Sequence, residues 1–350
     1  MQQPRTLPLA YETEDKPKAI VFGDAGYLEL EMAEPSPLMV SASRLWRRSK
    51  LGAKVLAVCG LIGFYPAMMA HGHRINDAPV SLNHGLPWAA PEAGVAVTLI
   101  AREIYGPGWA SDREAWHPQA HLRAMPAWQA GLANALSEHT ALSASLLAVA
   151  GSPDSDLEAA VRLLRAETDL EMAPRLAAAA EALARYDGRA ARNLAVSVRG
   201  EAALAAELRL FADWADRSKL ALDDKAGSTE GWMATDGDVD AFYTAKARAH
   251  VAHELLGASA RAEPKLMASA AMRAEIRKAE LVWRKAATQQ PLLVYNRGDD
   301  FLGMNSHLEN MANIMEDAAT TSRALADLLE TPPESMYVAQ VDPSLLTASP

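Results

Sequence analysis

The chain has 350 residues, half of them apolar, and a net charge of −10 at pH 7. That length allows one large domain or two ordinary ones, and the acidic balance excludes a general nucleic-acid binder, because neutralising phosphates takes surplus Lys and Arg. The single cysteine, Cys59, excludes an intramolecular disulfide and a cysteine-based zinc site.

Residues 1–43 carry Pro4, Pro8, Pro17, Pro35 and Pro37 among mixed charges, the pattern of a disordered arm. Its piece AIVFGDAGYLELEM is expected to be a short strand or a docking motif.

Residues 44–71 hold a basic segment followed by an apolar run. No charged side chain occurs in the sixteen residues from Val55 to Ala70, and Leu51, Gly52 and Ala53 extend the run. Lys54 sits one turn inside its end, where an ammonium can snorkel to the headgroups. The span 51–70 then reaches the ~20 residues that cross a bilayer. Leu51, Val55, Leu56, Val58, Leu61, Ile62 and Phe64 together contribute about −2 to −4 kcal/mol of insertion energy, partly offset by three glycines and Pro66. Arg44, Arg47, Arg48, Lys50 and Lys54 crowd the N-terminal flank, and only Arg74, Asp77 and Glu92 follow before Arg102. This asymmetry predicts a single transmembrane helix with its N-terminus in the cytoplasm, those five cations anchoring it at the membrane lipid. Trp46 and Tyr65 suit the two interfaces. A secretory signal peptide fits poorly, since the run begins deep in the chain and no small-residue cleavage site follows. The alternative is a buried helix of a soluble protein.

Residues 72–90 break all periodicity with Gly72, Gly85, Pro79 and Pro87 and form a linker. A helical domain is expected over 91–330. Its first helix, 91–105, carries Val95, Leu99, Ile100 and Ile104 at helical spacing and stops at Gly106-Pro107-Gly108. A second runs from about Pro126 to Ala150. Ser155 with Glu158 matches a capping box opening a third, which Pro174 interrupts or succeeds. Further periodic stretches cover 189–216, 238–258 and 264–287. PLLVYNRGDD then predicts an extended piece and a turn. Ser306 with Glu309 opens a last helix to about Glu330, and residues 331–350 form a loose tail. The fold class expected is all-α: one N-terminal transmembrane helix followed by a multi-helix, bundle-like domain. No repeat period supports a solenoid.

The stretches AMPAWQAGLANALS (124–137), DSDLEAAVRLL (154–164), DGDVDAFYTAKARAHVAHELL (236–256) and PLLVYNRGDDFLGMNSHLENMANIMEDAATTSRALADLLE (291–330), in this order after one apolar span, resemble a bacterial family catalogued as domain of unknown function 2333. The resemblance runs over residues 45–330. It implies a single-pass inner-membrane protein of Gram-negative bacteria with a helical domain beyond the span, and it implies no activity. The chain departs from the family pattern at Ala191-Arg192-Asn193-Leu194, where relatives tend to have Ala-Asp-Asn-Leu, and at Asn296-Arg297-Gly298, where they often have Asn-Gly.

Motifs for chemistry are few. His250 and His253 stand three apart in HVAHE, whereas a zinc-protease helix needs HEXXH. His71, His73 and His84 lie in the linker without carboxylate or thiol companions, and His117 and His121 flank Pro118. Asp236, Asp238 and Asp240 alternate like the start of a calcium loop, but Ala241 and Ala247 occupy the positions of the required Gly and Glu. Helix capping accounts for them. No P-loop, no convincing GxGxxG and no GxSxG occurs, so no cofactor, metal or nucleophile is indicated. Trp109, Trp116, Trp128, Trp214, Trp232 and Trp283 suit helix packing. The polar turn Asn296, Arg297, Asp299 and Asp300, with His307, is the expected binding surface. The function these observations favour is a scaffold or assembly role in the cell envelope, with envelope proteins or a second copy as partners. The alternatives are a membrane-anchored periplasmic hydrolase, or a soluble helical protein with 51–70 in its core.

Overall fold

A computed structural model describes residues 46, 48–60, 62–64, 75–80, 88–114, 116–117, 122–165, 171–228, 234–291, 294, 296 and 306–330. Of these, 80% are helical and none lies in a strand, which agrees with the all-α expectation. The chain separates into two compact units, Met1–Leu61 and Ile62–Pro350.

In the first unit, residues 48–60 form helix α1. Leu51, Val55, Leu56 and Val58 are all exposed, as are Arg48, Lys50 and Lys54. Residues 62–64, at the start of the second unit, are also helical, with Ile62 and Phe64 exposed. Among the described residues no helix is long and apolar enough to cross a membrane. Leu61 and residues 65–70 of the predicted span lie outside the described residues, as do Arg44 and Arg47 and the whole arm 1–43.

The second unit is built from α2 (Pro91–Tyr105), α3 (Ala124–Val149), α4 (Ser155–Leu164), α5 (Met172–Ala190), α6 (Glu201–Ser228), α7 (Asp236–Ala262), α8 (Pro264–Ala268), α9 (Ala270–Ala287) and α10 (His307–Glu330). The central element is α7, which packs on α2, α3, α6 and α9. Its small side chains explain this position. Ala245, Ala247, Ala249, Ala252, Ala258 and Ala260 are buried round its circumference, and small side chains on several faces let neighbouring helices approach from more than one side. The pair α6 and α10 packs along an extended seam. Trp214 and Trp283 are fully buried near Phe211, with ring centroids 5.2 and 6.3 Å from it. Trp109 and Trp128 are also buried, as expected of core anchors, whereas Trp116 is exposed. Trp232 lies outside the described residues.

Close approach of α3 to α7 requires a glycine. A Cβ on Gly131 would stand 3.0 Å from both the Ala247 Cβ and the Thr244 Cα. Gly131→Val is therefore expected to cost about 1–3 kcal/mol through overpacking, read as a lower denaturant midpoint at unchanged slope.

Three local expectations need correction. The α4 cap is Asp154, not Ser155: its carboxylate accepts from the amides of Asp156 and Leu157, a stronger N-terminal partner than a hydroxyl. The stretch 189–216 is not one helix. Asn193, with φ 57°, closes α5, and Gly200, with φ 102°, precedes α6; both residue types tolerate the left-handed region that ends helices. The stretch 264–287 breaks at Ser269, whose hydroxyl accepts from the Met272 amide to start α9. The Asp236–Asp240 alternation does cap: Thr235 and Asp238 form a reciprocal capping box. The Ser306 hydroxyl likewise accepts from the Glu309 amide.

Candidate functional site

Four helices bring polar groups together in one small chamber. Glu92 comes from the first turn of α2, His139 and Thr140 from α3, Tyr186 from α5 and Glu207 from α6. The chamber has a cavity of about 30 Å³, and Leu157 and Leu183 supply its apolar wall. A neighbouring cavity of about 10 Å³ shares Glu92, Val198 and Glu207, so the two carboxylates stand on the partition between them.

His139 Nε2 lies 2.6 Å from Glu207 Oε1, both side chains being buried. Glu207 Oε2 is buried with no hydrogen-bond partner among the described residues. Burial, followed by the charge of Glu207, pushes the Glu92 carboxyl above the usual carboxylate range. Burial also pushes the Tyr186 phenol up to about 12, and its hydroxyl donates to the Val196 carbonyl at 2.9 Å. Two acids and an imidazole beside an apolar wall are the equipment of general acid–base chemistry. A cavity of this size admits about two water molecules and no organic substrate without opening. Among the described residues no group of three His, Cys, Asp or Glu is arranged to hold a metal ion.

A second polar layer joins α2, α3 and α7. Glu103 is buried and accepts from Trp128 Nε1 at 3.0 Å and from Gln129 Nε2 at 2.9 Å. Gln129 also accepts from the Ala110 amide at 2.8 Å. Burial raises the Glu103 carboxyl. Beside Trp128 lie His250, with ring centroids 5.4 Å apart, and the Lys246 ammonium, 5.9 Å from the indole centroid. Lys246 is only 2% exposed and pairs with Asp77 at 2.8 Å. Burial lowers the Lys246 ammonium, and Asp77 offsets this only in part. Burial pushes the Asp77 carboxyl up, but Gln290 and Lys246 together outweigh it and hold it below the usual range.

His250 belongs to this layer. Burial, aided by the charge of Arg102, lowers its imidazole to about 3. We expect it to stay neutral at pH 5, read as an unchanged ring resonance in an NMR titration. The sign follows from linkage. A histidine depressed in the fold adds stability that is complete above the unfolded value near 6.5. That contribution is lost as pH falls towards 3, by at most about 1.4 kcal/mol per unit.

Of the expected binding turn, Asn296 is buried, and its side-chain amide donates to the Lys225 carbonyl at 3.3 Å, at the end of α6. His307 opens α10 with its ring 6.4 Å from that of Phe242. Burial lowers its imidazole. Arg297, Asp299 and Asp300 lie outside the described residues, as do His71, His73, His84 and His121. The chamber itself went unread in the sequence. Glu92, His139 and Glu207 are separated by 47 and 68 positions and sit in no motif. The second polar layer does carry a local signal, a charged residue on an otherwise apolar helical stripe at Glu103 and at Lys246. The chain matches no protein-family model, no curated protein and no solved structure.

Proposed function

We propose that this is a single-pass inner-membrane protein whose helical domain lies in the periplasm and acts as a scaffold or assembly element of the envelope. The observation that carries the reading is α1. Its apolar side chains Leu51, Val55, Leu56 and Val58 are exposed on successive turns, behind the cations Arg48, Lys50 and Lys54. Exposed apolar side chains gathered on one helix call for a partner surface or a bilayer to cover them, and among the described residues none covers these. The domain supports a structural role: its core is continuous through α2–α10, and its polar chamber is too small for substrate turnover as it stands. The resemblance to the domain of unknown function 2333 family points the same way. Alkaline phosphatase fused after residue 90 and after residue 350 is expected to be active at both places, and silence at both defeats the topology.

A second reading, a membrane-anchored hydrolase, is favoured by one observation, the convergence of Glu92, His139 and Glu207 on a shared cavity. It requires hydrolysis of ester, phosphoester or peptide substrates by the purified chain that is abolished in both Glu207→Gln and His139→Ala.

A further inference from the structure

Residues 75–80, Ile-Asn-Asp-Ala-Pro-Val, form an irregular strap seated on α2, α7 and Gln290 in the segment that follows α9. The helices hold this strap as a receptor holds a peptide. Three of its carbonyls, those of Asn76, Ala78 and Pro79, accept from the single guanidinium of Arg102. Its Val80 amide donates to Glu254 Oε2 at 3.1 Å. On the strap's side these contacts involve only main-chain atoms and carry no preference for its sequence. Selectivity enters at three positions. The Asp77 carboxylate receives Lys246 at 2.8 Å and Gln290 at 2.8 and 3.0 Å, while Ile75 and Val80 pack against the hydrophobic core.

The seat has unused polar capacity as well. His250 Nε2 and Glu254 Oε1 are buried without hydrogen-bond partners among the described residues. Lys246, almost wholly buried, is an unusual residue to place in a merely structural joint, since a methionine would pack there without a charge to desolvate. A buried cation is well suited to reading one carboxylate.

We propose that this seat is a peptide-recognition groove for a segment of the pattern apolar-x-Asp-x-x-apolar, with residues 75–80 as its resident occupant and a segment of the same pattern from a partner protein as the incoming one. The proposal stands apart from the membrane reading. It gives the domain a way to exchange its own strap for a partner's.

The test uses the full chain with a protease site placed within residues 83–86, between strap and domain. After cleavage the two fragments are expected to stay together at micromolar concentration. A synthetic peptide of residues 74–81 should release the N-terminal fragment at concentrations at least tenfold lower than the same peptide with Asp77→Ala. Fragments that part on cleavage alone overturn the proposal, as do peptides that release equally or not at all. If that chain does not fold or is not cut, hydrogen exchange on the intact chain decides. Asp77→Asn should speed exchange of the Val80 amide at least tenfold while amides within α7 keep their rates, and an unchanged Val80 rate overturns the groove.

Discussion

Trp128→Ala is expected to cost about 3–5 kcal/mol of stability, a large part of the 5–15 kcal/mol that holds a typical domain. The indole is completely buried where α3 meets α7. Truncation removes it from the core and leaves a cavity that rigid helices cannot close. It also removes the donor to Glu103 Oε1, and a buried acceptor left unsatisfied adds about 1–3 kcal/mol of its own. The two contributions separate in Trp128→Phe, which keeps most of the ring and loses only the N–H. We expect the phenylalanine variant to recover about half of the loss in urea denaturation. Equal losses in the two variants would show that the hydrogen bond, not the packing, dominates.

Asp77→Ala is the second large effect. It strands the Lys246 ammonium, 2% exposed, with no carboxylate beside it. Breaking a buried pair from one side typically costs about 3–5 kcal/mol, far more than the pair contributes relative to a well-packed apolar replacement. Some of the cost is relieved because the lysine can lose its proton, already favoured by burial. Lys246→Met alone should be milder, since Asp77 keeps Gln290 and borders solvent. The double variant Asp77→Ala/Lys246→Met is then expected to be more stable than Asp77→Ala alone. A double-mutant cycle by thermal or urea unfolding gives the coupling, and additive losses would show that the two residues do not interact across the strap.

How much was legible beforehand varied by element. The boundaries of α2, α3 and α10 follow from apolar stripes and from stop signals such as Gly106-Pro107-Gly108 that act within a few residues. The ends of α5 and α9 were hidden because Ala-rich sequence is helical by propensity on both sides of the break. There the decisive groups are a single left-handed Asn193 and a single Ser269 hydroxyl. The cap of α5 was beyond reach altogether. Its Met172 and Ala173 amides donate to Asp112, which lies 60 and 61 positions away.

The site divides in the same way. Polar composition directed attention to the turn after Pro291, whose Asn296 proves to be tied to the backbone of Lys225. The chamber of Glu92, His139 and Glu207 and the pair of Asp77 and Lys246 depend on groups 47 to 169 positions apart. No local pattern announces such pairs, since each member alone looks like an ordinary polar residue on a helix.

From the sequence alone came the helical class, the placement of α2, α3 and α10, the basic flank of the apolar run and the lack of any known catalytic motif. All of these rest on periodicity, capping and charge, which operate over a turn or two of chain. Tertiary structure alone decided which polar residues are buried, which of them meet, and that residues 75–80 lie in a seat built from α2, α7 and the segment after α9. Burial sets the strength of a charge and the need for a partner, and it exists only once distant segments have packed.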